Sequence, residues 1–227
     1  MSRRAVSFPV STIRALFFDF DGVILDSVEI KTWAFEKLFE PYGKEVQRKV
    51  VRHHRANGGV SRFEKIRHYY QTFLHKQISR QELETQCDTF SNLVFDEVLA
   101  AEWIPGAKEF LERTCKRFKL FVVSGTPEDE MKIIIKRRGL EGYFADVAGS
   151  PRTKGQLVQD LLRRHSLEPR AVLYFGDAVT DYDAAVQSGV HFISINCKSP
   201  LPSEVPQFDN FAALMKKLPQ LVEPTAS

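Results

Sequence analysis

Two aspartates separated by one residue are the first side chains in this sequence that could do chemistry. Asp19 and Asp21 flank Phe20, directly after a short apolar run. Residues two apart in an extended chain point to the same side, so both carboxylates face one site. Such a pair can act as a nucleophile and a general acid or base, or ligate a hard cation. The apolar residues 23–25 that follow lack oxygen ligands and exclude a calcium loop.

A second candidate segment, Ser124-Gly125-Thr126, follows an apolar run over residues 119–123. Hydroxyl and backbone N–H groups at a helix start can bind phosphoryl oxygens, and Gly125 lets a ligand approach the backbone closely. We expect Thr126 to cap a helix that continues to Gly139. Taken alone, Ser124 is better explained as a hydroxyl that only caps this helix.

Three further charged residues lie next to predicted helices. Lys154, in a loop before a helix, can offset the charge of an aspartate and a phosphate brought together. Asp177 follows the apolar run 171–175, and Asp181 begins the next helix. Carboxylates there suit Mg²⁺, which prefers few carboxylates together with waters and phosphate oxygens. A solvated loop lysine and a helix-capping Asp181 are the ordinary alternatives, so only the whole set indicates a site.

The elements that must position these residues alternate between apolar strands and amphipathic helices. Continuous apolar runs over residues 14–18, 119–123, 171–175 and 190–195 predict buried strands of a parallel sheet that is covered on both faces. We therefore predict an α/β fold with a Rossmann-like, doubly wound core. Ligands bind beyond the carboxyl ends of such strands, where the candidate residues lie.

The first strand is followed by a segment of different character. Residues 27–101 show helical spacing of apolar residues and little strand signal, as at Phe63, Ile66, Tyr70 and Leu74. This pattern predicts an all-helical domain, residues 27–101, inserted into a core domain formed by residues 1–26 and 102–227.

Composition excludes several classes of protein. The 227 residues include 32 basic and 29 acidic side chains, a net charge of +3, without a long basic run, so nucleic acid is not an expected partner. We find no signal peptide and no apolar run of about 18 residues, and we expect no membrane partner. Three widely spaced cysteines favour a reducing, cytoplasmic location over a disulfide framework or a zinc site. A monomer or a homodimer is expected.

Together these segments resemble the haloacid dehalogenase superfamily of aspartate-nucleophile phosphotransferases. Its four short motifs occur here in family order as DFDGV at 19–23, VVSGT at 122–126, Lys154, and GDAVTD at 176–181. The resemblance covers essentially the whole chain and includes a helical cap of the family's first type in the place of residues 27–101.

The resemblance implies a role for each matching residue. Asp19 is implied as the nucleophile that forms an aspartyl-phosphate, and Asp21 as the acid that protonates the leaving oxygen and then activates water. Ser124, with Gly125 and Thr126, is implied to bind the transferring phosphoryl group. An acid at Asp21 favours phosphoryl transfer over carbon–halogen cleavage, because a halide leaves without protonation.

The cofactor implied by the resemblance is Mg²⁺. Its expected ligands are Asp19, the backbone carbonyl of Asp21 and the carboxylate of Asp177, and Asp181 is expected to support the site, through water. Lys154 is implied to bridge Asp19 and the phosphoryl group.

The loop Asn57–Arg62 resembles the cap loops that contact the non-transferred part of a substrate. Gly59, Ser61 and Arg62 are the expected contacts, with Arg62 offering a planar fork to a carboxylate or a second phosphate. An exposed arginine at a helix start is the alternative. Lys31 stands where many relatives carry histidine and indicates an anionic substrate. His53 and His54, just before this loop, fit a site or a solvated face equally well.

The expected activity is a magnesium-dependent phosphatase of a small phosphorylated substrate, similar to phosphoglycolate or a sugar phosphate. A sugar phosphomutase is the alternative, because β-phosphoglucomutases share the G-V-S-R loop, although Lys31 puts it in doubt. A non-catalytic binding protein is a third hypothesis. Phosphonate hydrolysis would require a cap lysine that forms a Schiff base, and no such lysine is apparent from the sequence.

Overall fold

A parallel sheet with six strands forms the centre of the fold. The computed structural model describes residues 10–198 and 200–222, so residues 1–9 of the predicted core domain and the last five residues lie outside the described part. The strands are β1 (Ala15–Phe18), β2 (Lys119–Pro127), β3 (Phe144–Ser150), β4 (Val172–Gly176), β5 (His191–Ile195) and β6 (Gln207–Phe208).

The α-helices follow the alternation that the sequence indicates. They are α1 (Val28–Leu38), α2 (Lys44–Ala56), α3 (Arg62–Phe73), α4 (Arg80–Ala100), α5 (Ala107–Thr114), α6 (Glu128–Arg137), α7 (Lys154–Arg164), α8 (Val179–Ser188) and α9 (Phe211–Lys217). Short 3₁₀ helices cover Val10–Thr12, Glu40–Tyr42, Pro169–Ala171 and Pro219–Leu221. Within the described part of the chain, no helix is long and apolar enough to span a membrane.

The strand order is β3-β2-β1-β4-β5-β6, and every neighbouring pair is parallel. The chain leaves β1 toward β2 and later returns to β4 on the other side of β1. This reversal creates a switch point between β1 and β4, where ligands bind in doubly wound sheets. The predicted α/β class and Rossmann-like, doubly wound core are confirmed.

Both faces of the sheet are covered because successive strand residues point to opposite faces. On one face, Phe17 belongs to the cluster that includes Leu157 and Leu161 of α7. On the other, Phe18 packs with Phe110 of α5 and with a phenylalanine of α9, in a cluster that also holds apolar residues of α6. Burial of these aromatic rings holds the carboxyl ends of β1 and β4 in place, and the candidate aspartates directly follow these strand ends.

Helices α1–α4, here called the helical insertion, lie between β1 and β2. Their shared core is aromatic, with the ring of Phe35 centred 4.3 Å from Phe90 and 5.7 Å from Tyr69. Ser79 caps α4, and its capping box with Glu82 gives that helix a defined start. The four helices of the insertion lie between Val28 and Ala100.

Some predicted bounds differ from the structure. Strand β2 continues through Thr126, so Pro127 rather than Thr126 precedes α6, which ends at Arg137 before the left-handed Gly139. The sequence analysis did not predict β3 or β6. Strand β3 lies at the sheet edge and its first half is partly exposed, so it lacks the continuous apolar run of a buried strand.

Candidate active site

Asp19 extends the fully buried strand β1 by one residue. Its backbone N–H donates to the carbonyl of Phe175 at 2.9 Å, which continues the pairing with β4. Its Oδ1 accepts a hydrogen bond from the backbone N–H of Phe20 at 2.6 Å. With only 3% of its surface exposed, the side chain is held in one orientation at the switch point.

Lys154 reaches Asp19 from the first turn of α7, which starts at a capping box between Thr153 and Gln156. Its ammonium donates to Oδ2 of Asp19 at 2.5 Å and to Oδ1 of Asp181 at 2.6 Å. Burial lowers the pKa of Lys154, but the carboxylates of Asp181 and Asp19 outweigh burial and raise it above the ordinary value. Lys154 therefore stays protonated.

Asp181 is completely buried in the first turn of α8. Besides Lys154, it accepts hydrogen bonds from the hydroxyl of Tyr174 at 2.5 Å and from the backbone N–H of Ala178 at 3.1 Å. Both carboxylate oxygens thus have donors. Asp181 holds Lys154 in place.

Asp177 follows β4 and faces the loop after β1. Gly22 in that loop has φ of +79°, and a side chain there would collide with the Asp177 carboxylate. The loop can approach Asp177 because position 22 lacks a Cβ. The glycine of the D-F-D-G-V segment thus serves the site through its backbone.

The carboxylates of Asp19, Asp177 and Asp181 fit a divalent cation. One oxygen from each lies within 4.8 Å of the others. Burial, and then the negative charge of Asp19 and Asp181, raises the pKa of Asp177 well above its ordinary value. Burial also raises the pKa of Asp19 to about 7, against the lowering effect of Lys154. A cluster with this excess of negative charge and oxygen donors suits Mg²⁺.

We expect Mg²⁺ to raise the thermal unfolding midpoint of the wild-type protein, and Asp177→Asn to abolish this response. Because its pKa is raised, Asp177 stays protonated in the metal-free fold while the same carboxyl ionises in the unfolded chain above pH 3.8, its ordinary value, so the fold loses stability as the pH rises from there. Metal-free Asp177→Asn should therefore be more stable than wild type, by a margin that grows with pH. Differential scanning fluorimetry with Mg²⁺ or chelator measures both effects. Asp183→Asn, exposed on the same helix, is the matched control, and a response that survives in Asp177→Asn would contradict the assignment.

Asp21 lines the same cavity as Asp19 and Asp177, but its hydrogen-bond partners lie outside the carboxylate cluster. Its Oδ1 accepts from the hydroxyl of Ser27 at 2.6 Å, and its Oδ2 forms an ion pair with Lys31. Lys31 also donates to Oγ1 of Thr126 at 2.7 Å. Burial raises the pKa of Asp21, but Lys31 and these hydrogen bonds outweigh burial and lower it. Lys31 is therefore placed beside the proposed acid/base, and Thr126 faces the same site.

Ser124 is completely buried at the carboxyl end of β2. Its Oγ accepts a hydrogen bond from the backbone N–H of Thr126 at 3.1 Å. The hydroxyl does not cap α6, because Pro127 occupies the capping position. The structure thus leaves Ser124 at the strand end where the other candidate residues meet.

The loop before α3 lies directly on this strand end. The carbonyl of Gly58 accepts from the hydroxyl of Thr180 at 2.7 Å. A Cβ on Gly125 would lie 2.6 Å from the carbonyl oxygen of Gly59, and one on Gly59 would lie 2.7 Å from Nζ of Lys154. Glycines therefore allow the insertion to approach the core this closely. The expected contact residue Gly59 is at the site, whereas Ser61 caps α3 with its hydroxyl.

Arg62 differs from the sequence expectation. Only 4% of it is exposed, and its guanidinium donates to both carboxylate oxygens of Glu130, at 2.9 Å and 2.7 Å. It also donates to the hydroxyl of Ser91 and lies 4.9 Å from the ring centre of Phe90. Arg62 is therefore not an exposed helix-start residue: it lines the cavity at the site, and its planar fork binds Glu130 of α6.

We expect Arg62→Ala to lower the free energy of unfolding by about 3–5 kcal/mol, because Glu130 would stay largely buried without its cation. Turnover of every substrate should fall by a similar factor. Urea unfolding and steady-state kinetics on two esters, one with and one without a second anionic group, measure these effects. Arg62→Met combined with Glu130→Gln should recover stability. A loss confined to the ester with the second anion would restore Arg62 to the substrate site.

A cavity of about 260 Å³ separates the helical insertion from these carboxylates. Its walls include Lys65, to which the sequence analysis assigned no role, and His54, whose role it left undecided. The buried residues of α3 are Arg62, Lys65, Ile66, Tyr69 and Tyr70. These residues have the spacing of the buried, normally apolar face of an amphipathic helix. A lysine at one of these positions was the sequence feature that could have identified Lys65 as a site residue.

These observations agree with comparisons to known proteins. A family model described as haloacid dehalogenase-like hydrolase matches residues 16–195. The chain belongs to this family. The resemblance to this family that the four motifs indicate is confirmed, as is the prediction of a hydrolytic enzyme.

Curated relatives of this haloacid dehalogenase-like hydrolase include two named phosphatases. A phosphorylated carbohydrates phosphatase of Thermotoga maritima is 27% identical over 187 residues, which cover 80% of this chain and 84% of that protein. A phosphoglycolate phosphatase of Synechococcus elongatus is 24% identical over 195 residues, which cover 81% of this chain and 84% of that protein.

Solved structures show the same fold. A haloacid dehalogenase-like family hydrolase from Streptococcus pneumoniae has a TM-score of 0.67 at 17% identity, covering 91% of this chain and 99% of that chain. CbbY from Rhodobacter sphaeroides has a TM-score of 0.70 at 17% identity, covering 89% of this chain and 96% of that chain. At these identities the likeness concerns the fold alone.

Proposed function

We propose that this hydrolase is a magnesium-dependent phosphatase of small phosphorylated metabolites. The observation that carries the proposal is the buried bridge from Asp19 through Lys154 to Asp181, with distances of 2.5 Å and 2.6 Å, beside Asp177. A carboxylate can attack a negatively charged phosphate only where positive charge offsets their repulsion. Lys154 supplies such a charge within hydrogen-bond distance of the nucleophile.

In the first step, Asp19 attacks the phosphorus while the bond from phosphorus to the leaving oxygen breaks, which forms an aspartyl-phosphate. The hydroxyl of Ser124 and the backbone N–H groups next to it hold the transferring phosphoryl oxygens. Lys154 neutralises charge on the same group and keeps Asp19 oriented. In-line positioning by these residues supplies much of the rate enhancement.

Asp21 moves the protons. Because Lys31 lowers its pKa, Asp21 acts as an acid in the minority of molecules whose carboxyl is protonated, and there it donates that proton to the leaving oxygen. The resulting carboxylate then takes a proton from the water that attacks the aspartyl-phosphate, which releases phosphate and restores Asp19 and protonated Asp21. The hydrogen bond from Ser27 and the ion pair with Lys31 hold its carboxylate. Mg²⁺, when bound, supplies charge that lowers the repulsion between Asp19 and phosphate. Asp19, Asp177 and the backbone carbonyl of Asp21 would hold it, and Asp181 would support them.

Two observations support a small substrate. The cavity of about 260 Å³ is below the range of about 300–1,000 Å³ that is usual for drug-sized ligands. The names of the relatives from T. maritima and S. elongatus specify phosphorylated carbohydrates and phosphoglycolate. We therefore favour phosphoglycolate-like or sugar-phosphate-like esters, acted on by a cytoplasmic enzyme.

Phosphate release from a panel of small phosphate esters tests the proposal. We expect release that requires both Mg²⁺ and Asp19, and none with chelator. A folded protein that releases phosphate from no ester would contradict it. Transfer of the phosphoryl group to a sugar hydroxyl instead of water would indicate the mutase alternative.

A further inference from the structure

One buried basic residue on the wall of the cavity, Lys65, pairs with no carboxylate of residues 10–198 or 200–222. Lys65 of α3 is 2% exposed. Among the described residues, its ammonium has a single hydrogen-bond partner, Nδ1 of His54 at 2.9 Å, and no carboxylate within ion-pair distance. The ring of Phe35 lies 5.7 Å away. Burying a charge without a counter-ion costs several kcal/mol, about as much as one good ion pair can return.

The other buried cations near the cavity differ from Lys65 in this respect. Lys154 pairs with Asp19 and Asp181, Arg62 with Glu130, and Lys31 with Asp21. Each of these positive charges is therefore compensated by the protein itself. Lys65 is the buried amine of the described cavity wall whose ammonium form a bound anion would stabilise.

The protonation states of Lys65 and His54 are consistent with a ligand that supplies the missing negative charge. Burial lowers the pKa of His54 to about 2, so the imidazole is neutral and its Nδ1 accepts from Lys65. Burial, followed by the charges of Lys31 and Lys154, lowers the pKa of Lys65 to about 7. An anion bound beside Lys65 would oppose these effects and favour the ammonium form.

We propose that Lys65, positioned by His54, binds a second anionic group of the substrate, a carboxylate or a phosphate, while Asp19 attacks the phosphate ester. The preferred substrates are then small phosphate monoesters with a second negative charge rather than esters with a neutral end. This inference rests on the proposed phosphatase function for its kinetic test, but its binding test does not. It also transfers to Lys65 the role that the sequence suggested for Arg62.

Three esters with the same two-carbon skeleton test the inference. They are 2-hydroxyethyl phosphate, 2-phosphoglycolate and 1,2-ethanediol bisphosphate, whose second groups are a hydroxyl, a carboxylate and a phosphate. We expect Lys65→Met to reduce the preference for the two anionic esters over the neutral ester, measured as a ratio of kcat/KM, by about tenfold to hundredfold. Lys49→Met, a half-exposed lysine on α2, is the matched control and should keep the wild-type preference.

The role of His54 is tested separately. We expect His54→Leu to raise KM for the anionic esters more than it lowers kcat. His54→Asn retains an acceptor and should restore part of the preference. Equal effects of both variants on all three esters would reduce His54 to a packing residue and contradict its positioning role.

Binding to Asp19→Asn protein, measured by calorimetry with Mg²⁺, separates this inference from the proposed activity. Adding Lys65→Met should weaken binding of the anionic esters and leave the neutral ester much less affected. If the wild type releases no phosphate while this difference in binding is present, the phosphatase proposal fails and the anion site stands. If Lys65→Met changes all three esters equally, or none of them, the anion site is wrong.

Discussion

Asp19→Asn should reduce phosphate release by at least about 10⁴-fold, the scale on which loss of a nucleophile affects enzymes with covalent intermediates. The amide keeps the shape of the side chain but is too weak a nucleophile to attack phosphorus. The fold should survive, because Lys154 keeps Asp181 as its buried partner. Turnover is measured with excess enzyme and malachite green detection, and folding by urea denaturation.

Asp96→Asn provides the matched control, since Asp96 is exposed on the helical insertion far along α4. It should have wild-type turnover. Mass spectrometry after rapid acid quench should show an added phosphoryl group on wild-type protein and none on Asp19→Asn. Retained turnover at the wild-type rate in Asp19→Asn would exclude the covalent mechanism.

Lys154→Met should affect both activity and stability. Its ammonium is the positive charge between Asp19 and Asp181, and its removal leaves buried carboxylates without compensation. We expect the free energy of unfolding to fall by about 3–5 kcal/mol and turnover to fall at least about 10³-fold, since the charge on the transferring phosphoryl group is no longer offset.

The pH dependence of that stability loss has a defined sign. With Lys154 present, the pKa of the Asp19 carboxyl is about 7, and without the lysine it should rise further. The destabilisation should therefore be largest at alkaline pH and diminish as the pH falls and the carboxyls protonate. Urea unfolding of Lys154→Met and wild type between acidic and alkaline pH measures this.

A double variant separates the two effects of Lys154. Combining Lys154→Met with Asp181→Asn removes one of the uncompensated charges and should recover part of the lost stability. It should not recover turnover, because the ammonium beside the nucleophile is still missing. Full recovery of turnover would mean that Lys154 contributes to stability alone. If the double variant were no more stable than Lys154→Met, the uncompensated charge of Asp181 would not be the cause of the stability loss.

Much of the site was predictable because its residues follow buried strands. The apolar runs before Asp19, Ser124 and Asp177 predict strands whose carboxyl ends share one sheet edge, and chain-distant residues meet there. Strand β3 was not predictable in this way. Because β3 lies at the sheet edge, only its second half is buried, and Asp146 interrupts its apolar residues. The segment therefore lacks the continuous apolar run that predicted the other strands.

The helical insertion was harder to interpret than the core. Of the predicted apolar face of α3, Ile66 and Tyr70 are buried, but the buried residues of this helix also include Arg62 and Lys65. Charged side chains occupy this buried face because each has a polar partner on another helix, Glu130 of α6 for Arg62 and His54 of α2 for Lys65. Such partners are fixed only by tertiary packing, so helical periodicity alone could not identify them.

The ion pair between Arg62 and Glu130 has a consequence for how substrate is admitted. Separating the helical insertion from α6 would leave the charges of Arg62 and Glu130 without partners. Because both side chains are largely buried, water can replace the lost partner only after a wide separation, so partial opening costs free energy. The resting population should therefore consist mainly of molecules whose cavity is covered. Apparent affinity is then lower than intrinsic affinity by the fraction of uncovered molecules. Weakening the pair by Glu130→Gln should raise the rate of substrate association and lower the fraction of molecules whose cavity is covered.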